Sequence, residues 1–461
     1  MTRPAFSVAG KNVVVIGAAR SGIAAAVLLA RRGAVVTLTD VRPEIDAEPE
    51  LRAAGVTLEL GGHRRDTLLA ADLIVLSPGV PPAQPAIAEA RAAGVAVMGE
   101  LELASRWLRG RIIAITGTKG KSTTTTLAGR MLEAGGHRVL VGGNIGHALS
   151  AQVEQSTEDT IHVIEASSFQ LESADTFHPW IAVLLNFSPD HLDRHADIAE
   201  YAAAKARVFA NQTASDWAVL NSDDEGSRAL AQDARSQPLL FAVERALAEG
   251  VVVAKDAIVR RRRGGADQVL VPLSAVRLLG RHLLADVLAA AAVASIAGVD
   301  PQAMTRAVEG FTGLEHALEP VREIAGVTFV NDSKATNIES ALRAIQSFGK
   351  GLFVILGGRF KGGDFADLRD ALIERQAVVL AMGEAKPLIH AALASALRIH
   401  SVEDLSDAVR TAFVLAAPGE TVLLAPGCSS FDMFKDYAER GRTFKQEVGR
   451  LAGEWSRTAK Q

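Results

Sequence analysis

The stretch ITGTKGKST, residues 115–123, contains the residue types that bind phosphate. It follows a β-branched apolar run and opens a helical stretch, which is the context that a phosphate-binding loop requires. Gly117 and Gly120 would let backbone N–H groups point at a phosphate placed at the positive end of that helix. The common G-x-x-x-x-G-K-[ST] spacing would need a glycine where Ile115 stands. The sequence therefore predicts a nucleotide-binding loop of a shortened form.

Oxygen and imidazole ligands follow two further predicted strands. Lys121 would reach the terminal phosphates, and the Ser122 hydroxyl would bind Mg²⁺, which needs several more oxygen ligands. Glu165 ends a buried strand, where a carboxylate is costly unless it meets a cation. The segment after the next strand adds Asn186, Asp190, His191 and Asp193. Each of these could singly be a helix cap or a satisfied histidine, but three strand ends at one sheet edge favour a magnesium–nucleotide site.

A second glycine turn lies near the N-terminus, in IGAARSGIA. Gly17 and Gly22 suit a Rossmann turn, but Ala19 stands where its middle glycine belongs and hinders close approach of a pyrophosphate. Asp40 ends the next strand, where it could bond a ribose or a base. From these residues alone, a dinucleotide site, another nucleotide site and a structural turn all remain open. Residues 77–80 (SPGV) end another strand at the edge where open sheets bind ligands.

The elements that must position these residues alternate along the whole chain. Short β-branched runs and alanine-rich helical stretches, such as Gly22–Arg32, predict parallel sheets covered by helices. At about 100–200 residues per domain, the chain divides into three α/β domains, with joints near residues 109–110 and 310–313. The predicted strands are Val13–Ile16, Val35–Thr39, Leu73–Leu76, Val95–Met98, Ile112–Thr116, Val139–Val141, His162–Ile164, Ile181–Leu185, Ala218–Leu220, Thr328–Val330, Leu352–Leu356, Val378–Ala381 and Thr421–Ala425.

Composition narrows the class of protein. A net charge of -4 argues against a general binder of nucleic acid or membrane surfaces. The basic run Arg260–Arg263 lies between apolar β-like stretches and predicts a solvated hairpin edge. Cys428 is the single cysteine, which excludes a disulfide framework and suits a reducing compartment. The most apolar stretch, Leu283–Val299, contains Asp286 and is too short to span a membrane. We therefore expect a cytoplasmic protein without a membrane span or a nucleic-acid partner.

Several motifs together resemble the ATP-dependent Mur ligases of peptidoglycan precursor synthesis. TGTKGKST, GGNIG, EASSFQLE and NFSPDHLDRH are similar, in order, to the family's central-domain motifs. NDSKATN (331–337) and PGCSSFDMFKDYAERG (426–441) resemble the branch that adds glutamate to UDP-N-acetylmuramoyl-L-alanine. The resemblance covers the whole chain. It implies a Rossmann-like UDP-binding domain (1–107), a central P-loop ATPase-like domain (108–312) and a Rossmann-like glutamate-binding domain (313–461).

The implied reaction uses ATP and Mg²⁺ at two sites. The γ-phosphate passes to the terminal alanine carboxylate, and the amine of glutamate attacks the resulting acyl phosphate. Because two anions must meet, cations have to neutralise both. The resemblance further implies a monomer whose partners are its substrates. It settles the N-terminal glycine turn as a UDP site rather than a nicotinamide site.

The resemblance also assigns roles to individual residues. The catalytic residues that it implies are Lys121, Glu165, His191, Lys205 and Lys334. The ATP-binding residues would be Gly117, Thr118, Lys119, Gly120, Lys121, Ser122, Thr123, His282, Asp286 and Asp332. The UDP-substrate residues would be Arg20, Ser21, Asp40, Arg42, Gly79, Asn144 and Ser167. The glutamate residues would be Thr336, Lys361, Ser430, Phe431 and Tyr437. The metal ligands would be Ser122, Glu165, His191 and a carbamylated Lys205. By its own sequence context, Lys205 is an ordinary helix-surface lysine.

The sequence departs from the family on the ATP side. Leu283 and Asp286 replace asparagines associated with adenine, and Ala317 replaces an arginine near the phosphates. Arg359 or Arg322 could compensate for that lost charge. Three functions remain open: addition of D-glutamate, addition of L-glutamate or another acidic amino acid, and a non-catalytic nucleotide-binding regulator.

Overall fold

The computed structural model describes residues 6–190, 194–277 and 281–458, except for the side chains of residues 281, 282 and 458. The chain forms two compact units. The first comprises Met1–Val276 and His282–Gly310, and the second comprises Arg277–Arg281 and Phe311–Gln461. The first unit contains two β-sheets and the second contains one. The three sheets with covering helices confirm the predicted α/β class, while the domain boundaries at 107/108 and 312/313 stay predictions.

The N-terminal sheet has five parallel strands in the order β3-β2-β1-β4-β5. The loops after β1 and β4 therefore leave the sheet in opposite directions at its centre, where open α/β sheets bind ligands. The strands are β1 Asn12–Ile16, β2 Val35–Asp40, β3 Thr57–Leu60, β4 Leu73–Leu76 and β5 Ala96–Gly99. The helices are α1 Arg20–Arg31, α2 Glu48–Ala53, α3 Arg65–Leu69, α4 Pro85–Ala92 and α5 Glu100–Ser105.

The central sheet has nine strands in the order β14-β13-β12-β11-β10-β9-β6-β8-β7. Its strands are β6 Arg111–Thr116, β7 Arg138–Gly143, β8 Thr160–Glu165, β9 Ile181–Leu184, β10 Trp217–Asn221, β11 Gln237–Ala242, β12 Gly250–Ala254, β13 Ala257–Arg261 and β14 Gln268–Pro272. Its helices are α6 Lys121–Ala134, α7 Ser168–Leu171, α8 Ile198–Ala206, α9 Glu225–Leu230, α10 Arg281–Ile296 and α11 Pro301–Glu309. Short 3₁₀ helices span Leu149–Gln155, Arg207–Phe209 and Leu273–Ala275.

Strand β6 carries the phosphate loop because of its sequence and its place in the sheet. Its run of apolar residues is buried from residue 112 onward and suits a strand covered on both faces. It lies between β8 and β9, and all three are parallel. The segments that follow β6, β8 and β9 therefore meet at one edge, as the sequence predicts.

The basic run forms the predicted hairpin, because β13 and β14 are antiparallel. One arginine differs from the expectation of a solvated edge. Arg260 is half-buried and donates hydrogen bonds to the carbonyl and hydroxyl of Ser295, each at 3.2 Å. Arg261 pairs with Asp267 at 2.8 Å. Arg260 thus anchors the hairpin to α10 instead of facing water.

The sheet of the second unit has six strands in the order β15-β16-β20-β17-β18-β19, parallel except for β15. The strands are β15 Glu319–Ile324, β16 Val327–Asn331, β17 Leu352–Gly357, β18 Val378–Met382, β19 Arg398–Ser401 and β20 Thr421–Leu424. The helices are α12 Ile338–Gln346, α13 Arg369–Glu374, α14 Lys386–Leu393, α15 Leu405–Leu415 and α16 Tyr437–Thr458, with a 3₁₀ helix at Phe365–Leu368. The neighbouring strands β16, β20 and β17 end together, so their loops share one edge.

Every strand predicted from the sequence is present, and the first helix begins at Arg20 rather than Gly22. The sequence analysis missed β3, β11, β12, β15 and β19. Within the described ranges, no helix has both the length and the apolar character needed to cross a membrane.

Candidate active site

The phosphate loop turns through two glycines with positive φ angles. Gly117 has φ of 153° and Gly120 has φ of 82°, and Gly120 caps the N-terminus of α6. A Cβ atom at Gly120 would overlap the carboxylate of Asp286 on α10. Both the backbone conformation and the close neighbour therefore require glycine at this position. The loop delivers the chain directly into the first turn of α6, whose N–H groups have no partner within a helix.

Asn186, which follows β9, holds the phosphate loop in shape. Its Oδ1 accepts the N–H groups of Thr118 at 3.1 Å and Lys119 at 2.8 Å, and its Nδ2 donates to the Lys119 carbonyl at 3.1 Å. The N–H groups of Thr118 and Lys119 therefore point at the Asn186 side chain, and the prediction that the loop binds a phosphate stays a prediction.

A chain of hydrogen bonds links three strand ends beside the loop. The Ser122 hydroxyl donates to Glu165 Oε2 at 2.6 Å, and Asn144 Nδ2 donates to Glu165 Oε1 at 2.7 Å. Glu165 is 2% exposed, so the buried carboxylate is satisfied by neutral donors. The adjacent hydroxyl and carboxylate oxygens are ligands that Mg²⁺ prefers. Among the described residues, no three His, Cys, Asp or Glu side chains form a ready-made metal site. The two-metal site thus stays a prediction.

Lys205 lies inside the molecule, at 2% exposure, and not on the helix surface as its sequence context suggests. Its Nζ donates to the Gly117 carbonyl at 2.7 Å and lies 4.7 Å from the centre of the Tyr201 ring. Burial, reinforced by the nearby Lys121, lowers the pKa of Lys205 to about 6, against the opposing pull of Asp190 and Glu165. A large share of this amine is therefore uncharged at neutral pH. An uncharged lysine amine is a nucleophile.

The other lysines of the loop bond to the loop itself or to the segment after β9. Lys121 Nζ donates to the carbonyls of Gly117 and Thr118 at 3.1 and 2.9 Å. Lys119 pairs with Asp190 at 3.5 Å. Thr123 is buried in the first turn of α6. His191, also predicted here, lies outside the described residues, as does the side chain of His282.

Asp286 occupies the side of the loop where the family has an asparagine. It is 4% exposed, and burial raises its pKa well above the usual carboxylate value, while the Thr124 hydroxyl acts in the opposite direction. Its Oδ2 has no hydrogen-bond partner among the described residues. The raised pKa favours the protonated, uncharged form of the Asp286 carboxyl, which can donate one hydrogen bond and accept others.

The N-terminal turn is organised by Asp40. Its carboxylate accepts the Ala18 N–H at 2.6 Å, and the Arg42 backbone and guanidinium at 2.9–3.0 Å. The Arg42 guanidinium holds the Asp40 pKa well below its usual range. Asp40 therefore fixes the turn and aims Arg42, whose side chain is 53% exposed and faces solvent. Arg20 donates to the Gly146 carbonyl at 3.0 Å and joins this turn to the segment after β7.

The remaining predicted UDP-substrate residues differ in exposure and in their partners. Gly79 is exposed after β4, and Ser21 is half-buried on α1. Ser167 forms a capping box with Gln170 at the start of α7, so its hydroxyl already has a structural task.

Three loops of the second unit bring the predicted glutamate residues together. Residues 359 and 429 form a backbone bridge with two N–H···O bonds of 3.0 Å. The bridge places exposed Lys361 on the loop beside buried Ser430. The Gly427 N–H bonds the Ala335 carbonyl at 2.9 Å, which brings the loop of Lys334 and Thr336 to the same edge. Spacing along the chain could not reveal this meeting of distant segments.

Other predicted residues of this unit vary in exposure. Phe431 is 61% and Tyr437 40% exposed. Asp332 is buried, and burial raises its pKa to about 7 despite the Leu318 N–H at 3.2 Å and the nearby Lys334. A carboxyl with this pKa changes its charge near neutrality.

The loop around Ala317 is held by a lysine. Lys445 Nζ pairs with Glu315 at 2.7 Å and Glu319 at 2.9 Å. Arg359, one residue expected to compensate for the missing arginine, pairs with Glu384 at 3.0 Å. Lys445 is thus fixed by the two glutamates that flank position 317 in the sequence, whereas Arg359 is held by Glu384.

Family models match most of the chain. The Mur ligase middle domain matches residues 115–294, the N-terminal domain described as Mur ligase MurD-like matches residues 11–99, and the glutamate ligase domain of Mur ligases matches residues 318–428. The matched ranges include the phosphate loop, Glu165 and Lys361, whereas Ser430, Phe431 and Tyr437 follow the end of the third range.

Similar proteins of known name and structure agree with these matches. The chain is 43% identical over 450 residues to the UDP-N-acetylmuramoylalanine–D-glutamate ligase of Koribacter versatilis, covering 97% of this chain and 99% of that one. It is 44% identical over 451 residues to the ligase of the same name from Geotalea daltonii, with the same coverage. Its fold is similar to that of UDP-N-acetylmuramate–alanine ligase from Thermotoga maritima, with a TM-score of 0.60, 18% identity and coverage of 96% and 100%.

Proposed function

Because the chain belongs to the Mur ligase family, we propose that it is the ligase that adds D-glutamate to UDP-N-acetylmuramoyl-L-alanine at the expense of ATP. The observation that carries the proposal is the hydrogen-bonded chain of Ser122, Glu165 and Asn144 beside a shortened phosphate loop. The named relatives, at 43–44% identity over almost their whole length, select the amino acid and the sugar nucleotide.

In the first step, an oxygen of the alanine carboxylate attacks the γ-phosphorus of ATP. The bond from that phosphorus to the bridging oxygen breaks, and ADP leaves. Two anions approach each other in this step, so positive charge has to be fixed around them. Lys121 and the N-terminus of α6 supply it on the phosphate side, and Asn186 keeps the loop from moving.

Ser122 and Glu165 would hold one Mg²⁺, because their oxygens lie side by side at 2.6 Å. The ion would neutralise the phosphate oxygens as charge moves between them. A second Mg²⁺ held by His191 and Lys205 is part of the same proposal, and the family resemblance of these two positions supports it.

Lys205 would act in that second site as a carbamate. Its uncharged amine attacks CO₂, a C–N bond forms, and the nitrogen loses a proton, which leaves a carboxylate in place of an ammonium. The burial of Lys205 and the lowered pKa of its amine favour this reaction. The product would change a repelled cation beside Lys121 into an attracted anion.

In the second step, the glutamate nitrogen attacks the acyl carbon, the bond to phosphate breaks, and the nitrogen loses a proton. Glutamate carries two carboxylates, which require cations and hydroxyl groups. Lys361, Ser430 and Thr336 supply those groups on the loops that meet at one edge of the second unit. A lysine and a serine bind a carboxylate of either hand, so the preference for D-glutamate rests on the relatives.

The test is phosphate release from ATP with UDP-N-acetylmuramoyl-L-alanine and D-glutamate, L-glutamate or neither. Release that requires D-glutamate is the expected result. Release with L-glutamate alone would change the substrate and keep the mechanism. Binding of ATP without release under any condition would favour the regulatory alternative, which the buried acid Asp286 and Ala317 motivate.

We also propose that the protein acts as a cytoplasmic monomer. Its one thiol, Cys428, is buried, and its precursor substrate is made inside the cell. Sedimentation at micromolar concentration would check the oligomeric state.

A further inference from the structure

Arg440, on α16, lies at the centre of the three loops that carry the candidate glutamate residues. Its Nε donates to Ser333 Oγ at 3.0 Å, and its Nη2 donates to the carbonyls of Ser333 at 2.9 Å and Cys428 at 3.1 Å. Ser333 Oγ in turn donates to the Tyr437 carbonyl at 2.7 Å. One guanidinium thus joins the loop after β16, the loop after β20 and the start of α16.

The third loop closes against the same group. A Cβ atom built on Gly358, in the loop after β17, would lie 3.2 Å from Arg440 Nη1. Gly358 also has φ of 132°, so the backbone passes the guanidinium where a side chain has no room. The loops of Thr336, Lys361 and Ser430 therefore all touch one side chain or its direct neighbours.

The environment of Arg440 is unusual for an arginine. It is 1% exposed, and among the described residues no carboxylate forms an ion pair with it. Its Nη1 has no hydrogen-bond partner among them. Burial without a carboxylate is costly, and burial lowers the pKa of Arg440 to about 10. The planar guanidinium of Arg440 carries several separate donors, and these match two carbonyls and one hydroxyl.

We propose that Arg440 is a positioning residue that sets the spacing of the three glutamate-binding loops. The inference rests on the proposed function for its kinetic consequence, but its structural part does not. A lysine at 440 keeps the charge, but its donors all lie on one nitrogen, so it lacks the planar fork whose separate nitrogens bond Ser333 Oγ and the carbonyls of Ser333 and Cys428. The loops would then move relative to one another while the sheet beneath them stays folded.

The test compares Arg440→Lys with Arg450→Lys, a matched control on the same helix. Arg450 is exposed and forms an ion pair with Glu447 at 3.2 Å. Ser333→Ala is a milder second variant that removes the hydroxyl and keeps the backbone acceptor. Each variant is assayed as the full chain by amide hydrogen exchange and by steady-state kinetics.

Arg440→Lys should raise amide exchange about tenfold or more in segments 331–337 and 426–431, since opening of these loops becomes easier. The KM for glutamate should rise about 10- to 100-fold for the loss of two charge-assisted hydrogen bonds. The KM for the UDP-sugar should not change, because its predicted residues lie in the first unit. Ser333→Ala should produce a smaller rise in the KM for glutamate. Adding Ser333→Ala to Arg440→Lys should raise this KM by less than Ser333→Ala does in the unaltered protein.

Unchanged exchange in both segments would overturn the inference. An equal rise in the KM of every substrate, or a loss of kcat with all KM values intact, would also overturn it, because those results indicate general destabilisation. If the unaltered protein releases no phosphate in response to glutamate, the proposed function fails. Hydrogen exchange then decides separately whether Arg440 holds the loops.

Discussion

Both units bury a cation behind the loops of their candidate sites, yet the two cations serve different ends. Lys205 makes one hydrogen bond through Nζ, to Gly117, and the neutral amide of Asn186 holds the phosphate loop. In the second unit Arg440 itself holds the loops, through three hydrogen bonds. A lysine can lose its proton when buried and become reactive, whereas an arginine remains charged. Under the two proposals above, the Lys205 amine serves chemistry and the Arg440 guanidinium serves architecture.

The largest effect should come from removing the reactive amine. Lys205→Ala should lower kcat about 1,000-fold, the upper range for loss of one charge-stabilising group. Added short carboxylic acids should restore part of it by replacing the carbamate. Lys205→Arg should be as inactive and show no restoration. Full activity in Lys205→Ala, measured as phosphate release, would remove the distinction between the two cations.

The next largest effect should be a difference between Lys205 and Arg440 in how each changes the stability of the protein with pH. Folded Lys205 loses its proton near pH 6, and the unfolded residue near 10.5. Between these values the unfolded chain holds one more proton, so Lys205 lowers stability increasingly as pH falls, by about 1.4 kcal/mol per pH unit. The melting temperature of the unaltered protein in CO₂-free buffer should therefore fall relative to Lys205→Met between about pH 9 and about pH 6.5.

Arg440→Met provides the contrast for that experiment. The pKa of Arg440 is lowered only to about 10, so both states keep the proton throughout this range. Its difference in melting temperature should not vary with pH between about 6.5 and about 9. A parallel pH trend in both variants would contradict the comparison.

A smaller kinetic effect should follow when Asn186, which holds the phosphate loop in the first unit, is changed. Asn186→Ala removes the acceptor of two loop amides, and the KM for ATP should rise about tenfold, as expected for roughly one lost hydrogen bond with its buried donor. Asn186→Gln keeps an uncharged amide with the same acceptor and donor groups, so the rise should be smaller. Equal effects of both variants would mean that the amide acceptor does not hold the loop.

The smallest effect on stability should come from changing an exposed arginine, in contrast to the buried Arg440. Arg410 is exposed and pairs with Glu454 on neighbouring helices at 2.8 Å. Arg410→Gln should move the melting temperature by no more than about 2 °C, because exposed ion pairs contribute little. A larger shift, measured by calorimetry, would show that an exposed arginine of this unit can also contribute substantially to its stability.

Much of the site could be predicted because its signals are local. The phosphate loop combines a strand, two glycines and a lysine within nine residues, and the loop and α6 form as expected. Glu165 is recognisable because a carboxylate ending an apolar strand needs a partner. The missed strand β15 is the antiparallel edge strand of its sheet, and most of its residues are at least partly exposed, so its sequence carries little apolar periodicity.

The sequence by itself determined which chemistry is available: a phosphate loop, oxygen ligands, and loops with carboxylate-binding side chains at the ends of parallel strands. Only the tertiary structure decided which side chains those loops meet. Lys205 and Arg440 look like surface residues of helices because helical sequence does not state what packs against each face. Burial makes the first reactive and the second a structural centre, since the free energy of a charge depends on surroundings contributed by distant segments.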